Sequence, residues 1–182
     1  FNIGIYEGWT KVYVGVDDQG NLLDALVIGY SHPDFGKSAL EALHRWKFIP
    51  ASINGKPSTS TVRINFTFNH TTTTTQIQTV GIVDIIENNN VKFQRDHSLI
   101  YSLDKLDRIP TPIHNVPPEH PERDIRRYAG RKIEVDFFID ETGKVRLPTL
   151  IFPESKEIVE RTIAAVKQWR FEPPTYEGKA VI

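Results

Sequence analysis

Residues recur along this chain at a fixed offset of 123 positions. Trp46, Phe48 and Pro50 return as Trp169, Phe171 and Pro173, and Gly55 and Lys56 as Gly178 and Lys179. Asp17 and Gly20 return as Asp140 and Gly143, Val12 as Val135, and Ala42 as Ala165. No insertion is needed between Val12 and Lys56, so the register holds through a whole structural unit. Spacing kept over that length means shared structure. A period this long means two copies of a small domain and not a solenoid. At 182 residues the chain has room for two such domains.

Each copy reads as strand, turn, strand, helix, strand. In the first, Val12, Val14 and Val16 alternate with Lys11, Tyr13 and Gly15, the period of a half-buried strand. Asp17-Asp18-Gln19-Gly20-Asn21 is a hairpin turn in which Gly20 supplies the positive φ, and Leu22 to Ile28 returns. Ser31-His32-Pro33-Asp34 opens a helix, with Pro33 in its first turn. Ala39, Leu40, Leu43 and Trp46 form its apolar face. Asn54-Gly55 turns the chain, and Val62, Ile64, Phe66 and Phe68 alternate along a third strand. The second copy has Ile133, Val135, Phe137 and Ile139, then Asp140-Glu141-Thr142-Gly143 and a return over Val145 to Phe152. A helix around Ser155 to Trp169 follows, with Ile158, Val159, Ile163 and Val166 inward, and then Glu177-Gly178. Ser31 and Ser155 are read as helix-opening residues.

Between the copies, Asn69 to Thr75 holds five consecutive threonines and reads as a flexible boundary. Gln76 to Ile86 is apolar and β-prone, which predicts a strand. Leu99, Tyr101 and Leu103 alternate and predict another over Ser98 to Leu103. Ile109 to Pro121 holds Pro110, Pro112, Pro117, Pro118 and Pro121, an extended, polyproline-like lead-in to the second copy. The expected domains are residues 1–68 and 104–182, with a linker over 69–103 carrying one or two extra strands. The chain stops at Ile182, where the second copy's third strand should start. That strand is expected to be trimmed or supplied from elsewhere, because an open sheet edge needs cover. Methionine is absent, position 1 included, so the chain reads as a processed form whose signal peptide or membrane anchor lies outside it.

Composition removes several function classes. Basic residues number 22 and acidic residues 23, for a net charge of −1, so the basic excess expected of a nucleic-acid binder is missing. No apolar run approaches the roughly 20 residues needed to cross a bilayer. Cysteine is absent, which excludes disulfides, thiolate metal sites and cysteine nucleophiles.

The remaining chemistry is sparse. Asp17, Asp18, Asp140 and Glu141 stand beside a turn glycine in both copies and read as turn residues, not as acid/base pairs. A calcium loop starting at Asp17 fails because Ile28 stands where the bidentate Glu belongs. The histidines, His32, His44, His70, His97, His114 and His120, show no His-x-x-x-His pair. No Gly-x-Ser-x-Gly elbow and no phosphate-cradling glycine loop occurs, so neither a cofactor nor a catalytic residue is expected. Arg123, Arg126, Arg127, Arg131 and Lys132 form a basic cluster diluted by Glu122, Asp124 and Glu134. It reads as a solvated helix face, with Arg123, Arg126 and Arg127 as a docking patch in the sharper reading.

The two copies resemble the TonB C-terminal domain family. The resemblance rests on Ala42-Leu43-His44-Arg45-Trp46-Lys47-Phe48-Ile49-Pro50 with Asn54-Gly55-Lys56, and on Ala165-Val166-Lys167-Gln168-Trp169-Arg170-Phe171-Glu172-Pro173 with Glu177-Gly178-Lys179. Leu106-Asp107-Arg108-Ile109-Pro110 and Pro118-Glu119-His120-Pro121 resemble the family's Pro-rich lead-in, with His120-Pro121 where Tyr-Pro is usual. Independently of any family, the Trp and Phe are large anchors between helix and sheet, and Lys47 or Arg170 between them points outward. The resemblance implies an α+β fold: two repeats, each a β-hairpin, a helix and a further strand in a small antiparallel sheet with the helix on one face. It implies a non-enzymatic periplasmic module of Gram-negative bacteria that adds an extended peptide of an outer-membrane transporter to its sheet. Family members transmit force through an N-terminal membrane helix and a Pro-rich spacer, and this chain displays neither.

The expected platform is the edge of the first copy's last strand: Thr61, Val62, Arg63, Ile64, Asn65, Phe66, Thr67 and Phe68. Backbone groups there would supply affinity and alternate side chains specificity. The competing expectation is a structural cell-envelope protein whose copies pack on each other or on another chain, a homodimer included. Coverage of the Thr61–Phe68 edge by residues 76–86 would favour that second reading.

Overall fold

Alternating valines make the first strand, and everything in the first repeat is built against it. The computed structural model describes residues 7–53, 55–69, 73–79 (of 76–79 the backbone), 99–150 and 155–182. The chain divides into two units, Phe1–Tyr101 and Ser102–Ile182.

In the first unit β1 (Gly8–Val16) and β2 (Leu22–Tyr30) form the expected hairpin, followed by α1 (Pro33–Leu43). A short hairpin, β3 (Ala51–Ile53) and β4 (Lys56–Ser58), leads into β5 (Ser60–Phe68) and β6 (Thr73–Thr79). The sheet order is β2-β1-β5-β6, with every neighbouring pair antiparallel. Val12, Val14, Val16, Ile64 and Phe66 point to one face and meet Ala39 and Leu43 of α1 in the core. Each such fully buried aliphatic side chain contributes about 1.5–3 kcal/mol from burial. The opposite face carries Tyr13, Leu26 and Ile28, also buried.

α1 starts as expected at Pro33, but its cap is His32, whose Nδ1 accepts the Asp34 N–H at 3.3 Å. Ser31, expected at the helix opening, instead brackets Trp9: the Ser31 N–H donates to the Trp9 carbonyl and its Oγ accepts the Trp9 N–H, both at 2.9 Å. An extended residue next to a strand end finds its backbone partners across the sheet before it can turn into a helix.

Two expectations about the middle of the chain are corrected. Thr73, Thr74 and Thr75 open β6 and do not form a flexible boundary, because β-branched threonines suit a pleated strand once β5 offers a partner. The strand expected from Gln76 onward therefore begins earlier; beyond Thr79 it lies outside the described residues, as do His70 to Thr72. No strand forms over Leu99–Leu103. Leu103–Lys105 is a 3₁₀ turn in which the Ser102 hydroxyl bonds the Asp104 carboxylate, a local contact that competes with strand pairing. Ser98 lies outside the described residues.

The second unit holds β7 (Pro112–His114), α2 (Glu122–Arg127), β8 (Val135–Ile139), β9 (Val145–Leu150) and α3 (Lys156–Val166). Short strands β10 (Arg170–Phe171), β11 (Thr175–Tyr176) and β12 (Lys179–Ala180) end the chain. β8 and β9 form the hairpin matching β1 and β2. Ser155 caps α3 by accepting the Ile158 N–H at 3.3 Å. Ile158, Thr162, Ala165 and Val166 are buried, and Val159 and Ile163 pack half-buried around Leu150 and Ile158. The end of the returning strand, at Ile151 and Phe152, lies outside the described residues. The two repeats thus share an α+β design of small antiparallel sheets with one long helix each.

Candidate functional site

The strand singled out in the sequence, β5, lies inside its sheet. One edge pairs with β1 from Ser60 opposite Val16 to Phe68 opposite Gly8. The other pairs with β6, from Val62 opposite Thr79 to Phe68 opposite Thr73. The expectation of a free edge at Thr61–Phe68 is corrected accordingly: β6 occupies it. Ile64 and Phe66 are buried toward α1, and Thr67 is exposed. Thr61, Val62, Arg63, Asn65 and Phe68 are half-buried. Phe68 stacks on Phe35 with ring centroids 4.8 Å apart, and Phe66 lies 5.7 Å from Trp46. Ile64, Phe66 and Phe68 are thus committed to packing, and the β5 backbone is paired on both sides. The side chains at the start of β6, Thr73, Thr74 and Thr75, are exposed.

In the second unit, β8 pairs with β9 along one edge, and no strand among the described residues pairs with the other. Lys179 and Ala180, near the expected start of a third strand, pair back on Thr175 and Tyr176 as a hairpin. This is the counterpart of β3 and β4.

The turn carboxylates act as structural clamps. Asp17 Oδ1 accepts the N–H groups of Gln19 (2.8 Å) and Asn21 (2.7 Å), while Oδ2 takes the Asn21 amide at 2.9 Å. The Asn21 side-chain and backbone amides hold the Asp17 carboxyl below its usual range. Burial pushes Asp140 up, yet the Thr142 hydroxyl, the Lys144 and Thr142 N–H groups and Arg146 outweigh it, so this carboxyl too lies low. Neither is set up as a proton donor or base near neutrality.

The basic cluster is largely neutralised by its own neighbours. Arg123 pairs with Glu157 at 2.7 Å and Arg126 with Glu122 at 3.1 Å, both in solvent. Arg127 lies over the Tyr128 ring at 5.5 Å, and Lys132 meets Glu134 at 2.7 Å. No group of His, Asp and Glu among the described residues could hold a metal ion.

The sequence marked the lead-in of the second repeat as extended but did not show what it holds. Asp107 grips the β11–β12 turn: its two carboxylate oxygens accept the N–H groups of Glu177 and Gly178, each at 2.9 Å. Those bonds, that from Gly178 foremost, together with one from the Thr175 hydroxyl, lower its pKa. The Glu172 N–H donates to the Thr111 carbonyl at 2.9 Å, β7 pairs with β10, and the Trp169 indole N–H donates to the Val116 carbonyl at 2.7 Å. An Asp-x-x-Pro segment ahead of a Trp-x-Phe motif was the available signal. Its target, a turn 70 residues away, is not local.

A family model for the Gram-negative bacterial TonB protein C-terminal matches the chain twice, over residues 5–70 and 116–182. No curated protein and no solved structure matches it.

Proposed function

With both repeats matched, the chain belongs to the TonB C-terminal family, and we propose that it takes an extended peptide of an outer-membrane transporter, or of another envelope protein, as an added β-strand on β5. The family is one of periplasmic protein-interaction modules in envelope transport. Among the described residues no helix is long and apolar enough to cross a membrane.

The observation that supports this reading is the sheet order β2-β1-β5-β6. β6 is an edge strand that begins with three exposed threonines, so backbone hydrogen bonds are the main hold at that end. An incoming peptide offers β5 the same backbone groups, which makes exchange of one strand for another nearly neutral in hydrogen bonding. Thr61 to Phe68 form the platform. Separately, Arg123, Arg126 and Arg127 of α2 form a docking patch for an acidic segment that displaces Glu157 and Glu122 from their ion pairs.

A second reading has its own observation. Because β6 already covers β5, the repeats could serve as a structural envelope protein, packing on a partner chain or a second copy without capturing peptide.

A two-dimensional NMR titration with peptides copied from transporter plug segments separates the two. In the first reading Thr61–Phe68 shift and the Thr73–Thr79 amides leave their strand positions together. The absence of any shift at about 1 mM peptide removes peptide capture and leaves the structural role.

A further inference from the structure

β6 meets β5 with threonines where β5 is aromatic. Cross-strand partners share a face of the sheet, and the register sets Thr73 opposite Phe68 and Thr75 opposite Phe66. Both rings belong to a cluster on the α1 side. Phe66 lies 6.2 Å from Phe68 and 5.7 Å from Trp46, and Phe68 stacks on Phe35. Phe68 and Trp46 are half-buried, while Thr73 and Thr75 are exposed. The rim of the cluster therefore carries a hydroxyl group at two places where an aliphatic β-branched side chain would extend it. The other face of β5 is also incomplete: Asn65 Oδ1 is buried, and no group among the described residues donates to it. An unpaired buried acceptor weakens the sheet that holds it.

We propose that the strand β5 selects carries valine or isoleucine in a single phase, opposite Phe66 and Phe68, and polar residues opposite Asn65 and Thr67. This partner class presupposes that β5 takes an added strand, as argued above for its function.

Competition with β6 defines the class. β6 is tied to β5 through residues 69–72, so it faces the edge at an effective concentration on the order of 1 mM. Backbone hydrogen bonds are alike for either strand and give the newcomer no advantage. The advantage has to come from side chains. A valine opposite each ring forms an aromatic–β-branched pair free of the threonine hydroxyl. Two such pairs give a preference of about tenfold over the threonines. Phase matters as much as composition. Side chains alternate between the two faces, so a valine one position away falls opposite Thr67 or Asn65 and gains no ring contact. β6 is thereby a weak occupant, held by its tether more than by its side chains. A strand of the right phase displaces it, and one with the same backbone in the wrong phase does not.

The test is an NMR titration of the 182-residue chain with three synthetic peptides. The first copies residues 73–79, the second adds Thr73→Val and Thr75→Val, and the third adds Thr74→Val and Gln76→Val instead. The second should bind β5 about tenfold more tightly than the first, and the third about as the first does. A slip of one residue brings the third peptide's valines into phase only by taking Ile77 out of it and leaving one end unpaired. In the chain, Thr75→Val changes an exposed residue and strengthens β6, so it should weaken the second peptide about threefold. Equal affinities of the second and third peptides, or no effect of Thr75→Val, overturn the phase rule and leave strand addition standing. If none of the three shifts Thr61–Phe68 at about 1 mM, strand addition itself fails and the partner class falls with it.

Discussion

Gly143 and Phe171 are fitted backbone to backbone. The Phe171 N–H donates to the Gly143 carbonyl at 2.8 Å, and a methyl group on Gly143 would stand 2.0 Å from the Phe171 carbonyl oxygen. The first repeat has the same joint: the Phe48 N–H donates to the Gly20 carbonyl at 3.0 Å, and the same methyl would meet the Phe48 oxygen at 2.0 Å. The Asp-x-x-Gly turn and the Trp-x-Phe motif are thus two halves of one contact. The turn glycine is needed both for its φ of 80° or 82° and for the approach of another segment of backbone.

Gly20→Ala and Gly143→Ala should each destabilise their repeat by about 2–4 kcal/mol, combining left-handed strain with the backbone clash. Gly178→Ala isolates the first part. It has φ of 73° with nothing within 4 Å of the added carbon, so it should lose only about 1 kcal/mol. Urea unfolding midpoints of the three variants check the difference, and equal losses would sink the argument.

The two tryptophans should differ although their motifs match. Each packs against its Phe, Trp46–Phe48 at 6.0 Å and Trp169–Phe171 at 6.4 Å. Trp169 also spends its indole N–H on the Val116 carbonyl. Trp169→Phe removes that bond along with the ring, so it should cost about 1 kcal/mol more than Trp46→Phe. Thermal unfolding of the two variants reads this directly.

The periodic parts of the fold were legible in the sequence, and the paired parts less so. Val12, Val14 and Val16, the Gly20 and Gly143 turns and the faces of α1 and α3 declare themselves through local spacing, because a strand or helix repeats its own period. β6 did not declare itself as a strand at Thr73, since a threonine run is polar and only its pairing with β5 fixes it as strand. For the same reason the occupancy of the Thr61–Phe68 edge could not be read: register between strands is a nonlocal property. β7 was visible as extended from its prolines, while its pairing with Arg170 and Phe171 was not. Asp107 looked like one lead-in residue among several until its turn, far along the chain, was placed beside it.

Acid should loosen both hairpin clamps and the lead-in. Asp17, Asp107 and Asp140 all have carboxyls held below their usual range in the folded chain. A depressed folded pKa means that the unfolded chain takes up protons first as pH falls. The stabilisation is therefore present above about pH 4 and is lost progressively below it. Stability should be flat from neutrality down to that point and then fall. Asp107→Asn should shallow the fall by removing one of the linked protons. A variant with an unchanged acid slope would show that Asp107 is not linked to folding.

Hydrogen exchange along β5 distinguishes a replaceable β6 from a permanent one. In an antiparallel sheet successive residues of an inner strand turn their N–H groups alternately to the two neighbours. The N–H groups of β5 are therefore divided between β1, whose partner face is the core of the repeat, and β6 at the sheet margin. If β6 leaves readily, the half that donates to β6 opens without unfolding the sheet, while the half that donates to β1 waits for global unfolding. The expected pattern from Val62 to Phe68 is alternation of fast and slow amides at every second residue. Added transporter peptide should slow only the fast set, because it refills the same edge. Uniform protection along β5, unchanged by peptide, would mean that β6 is as fixed as β1, and that the edge is closed to any partner.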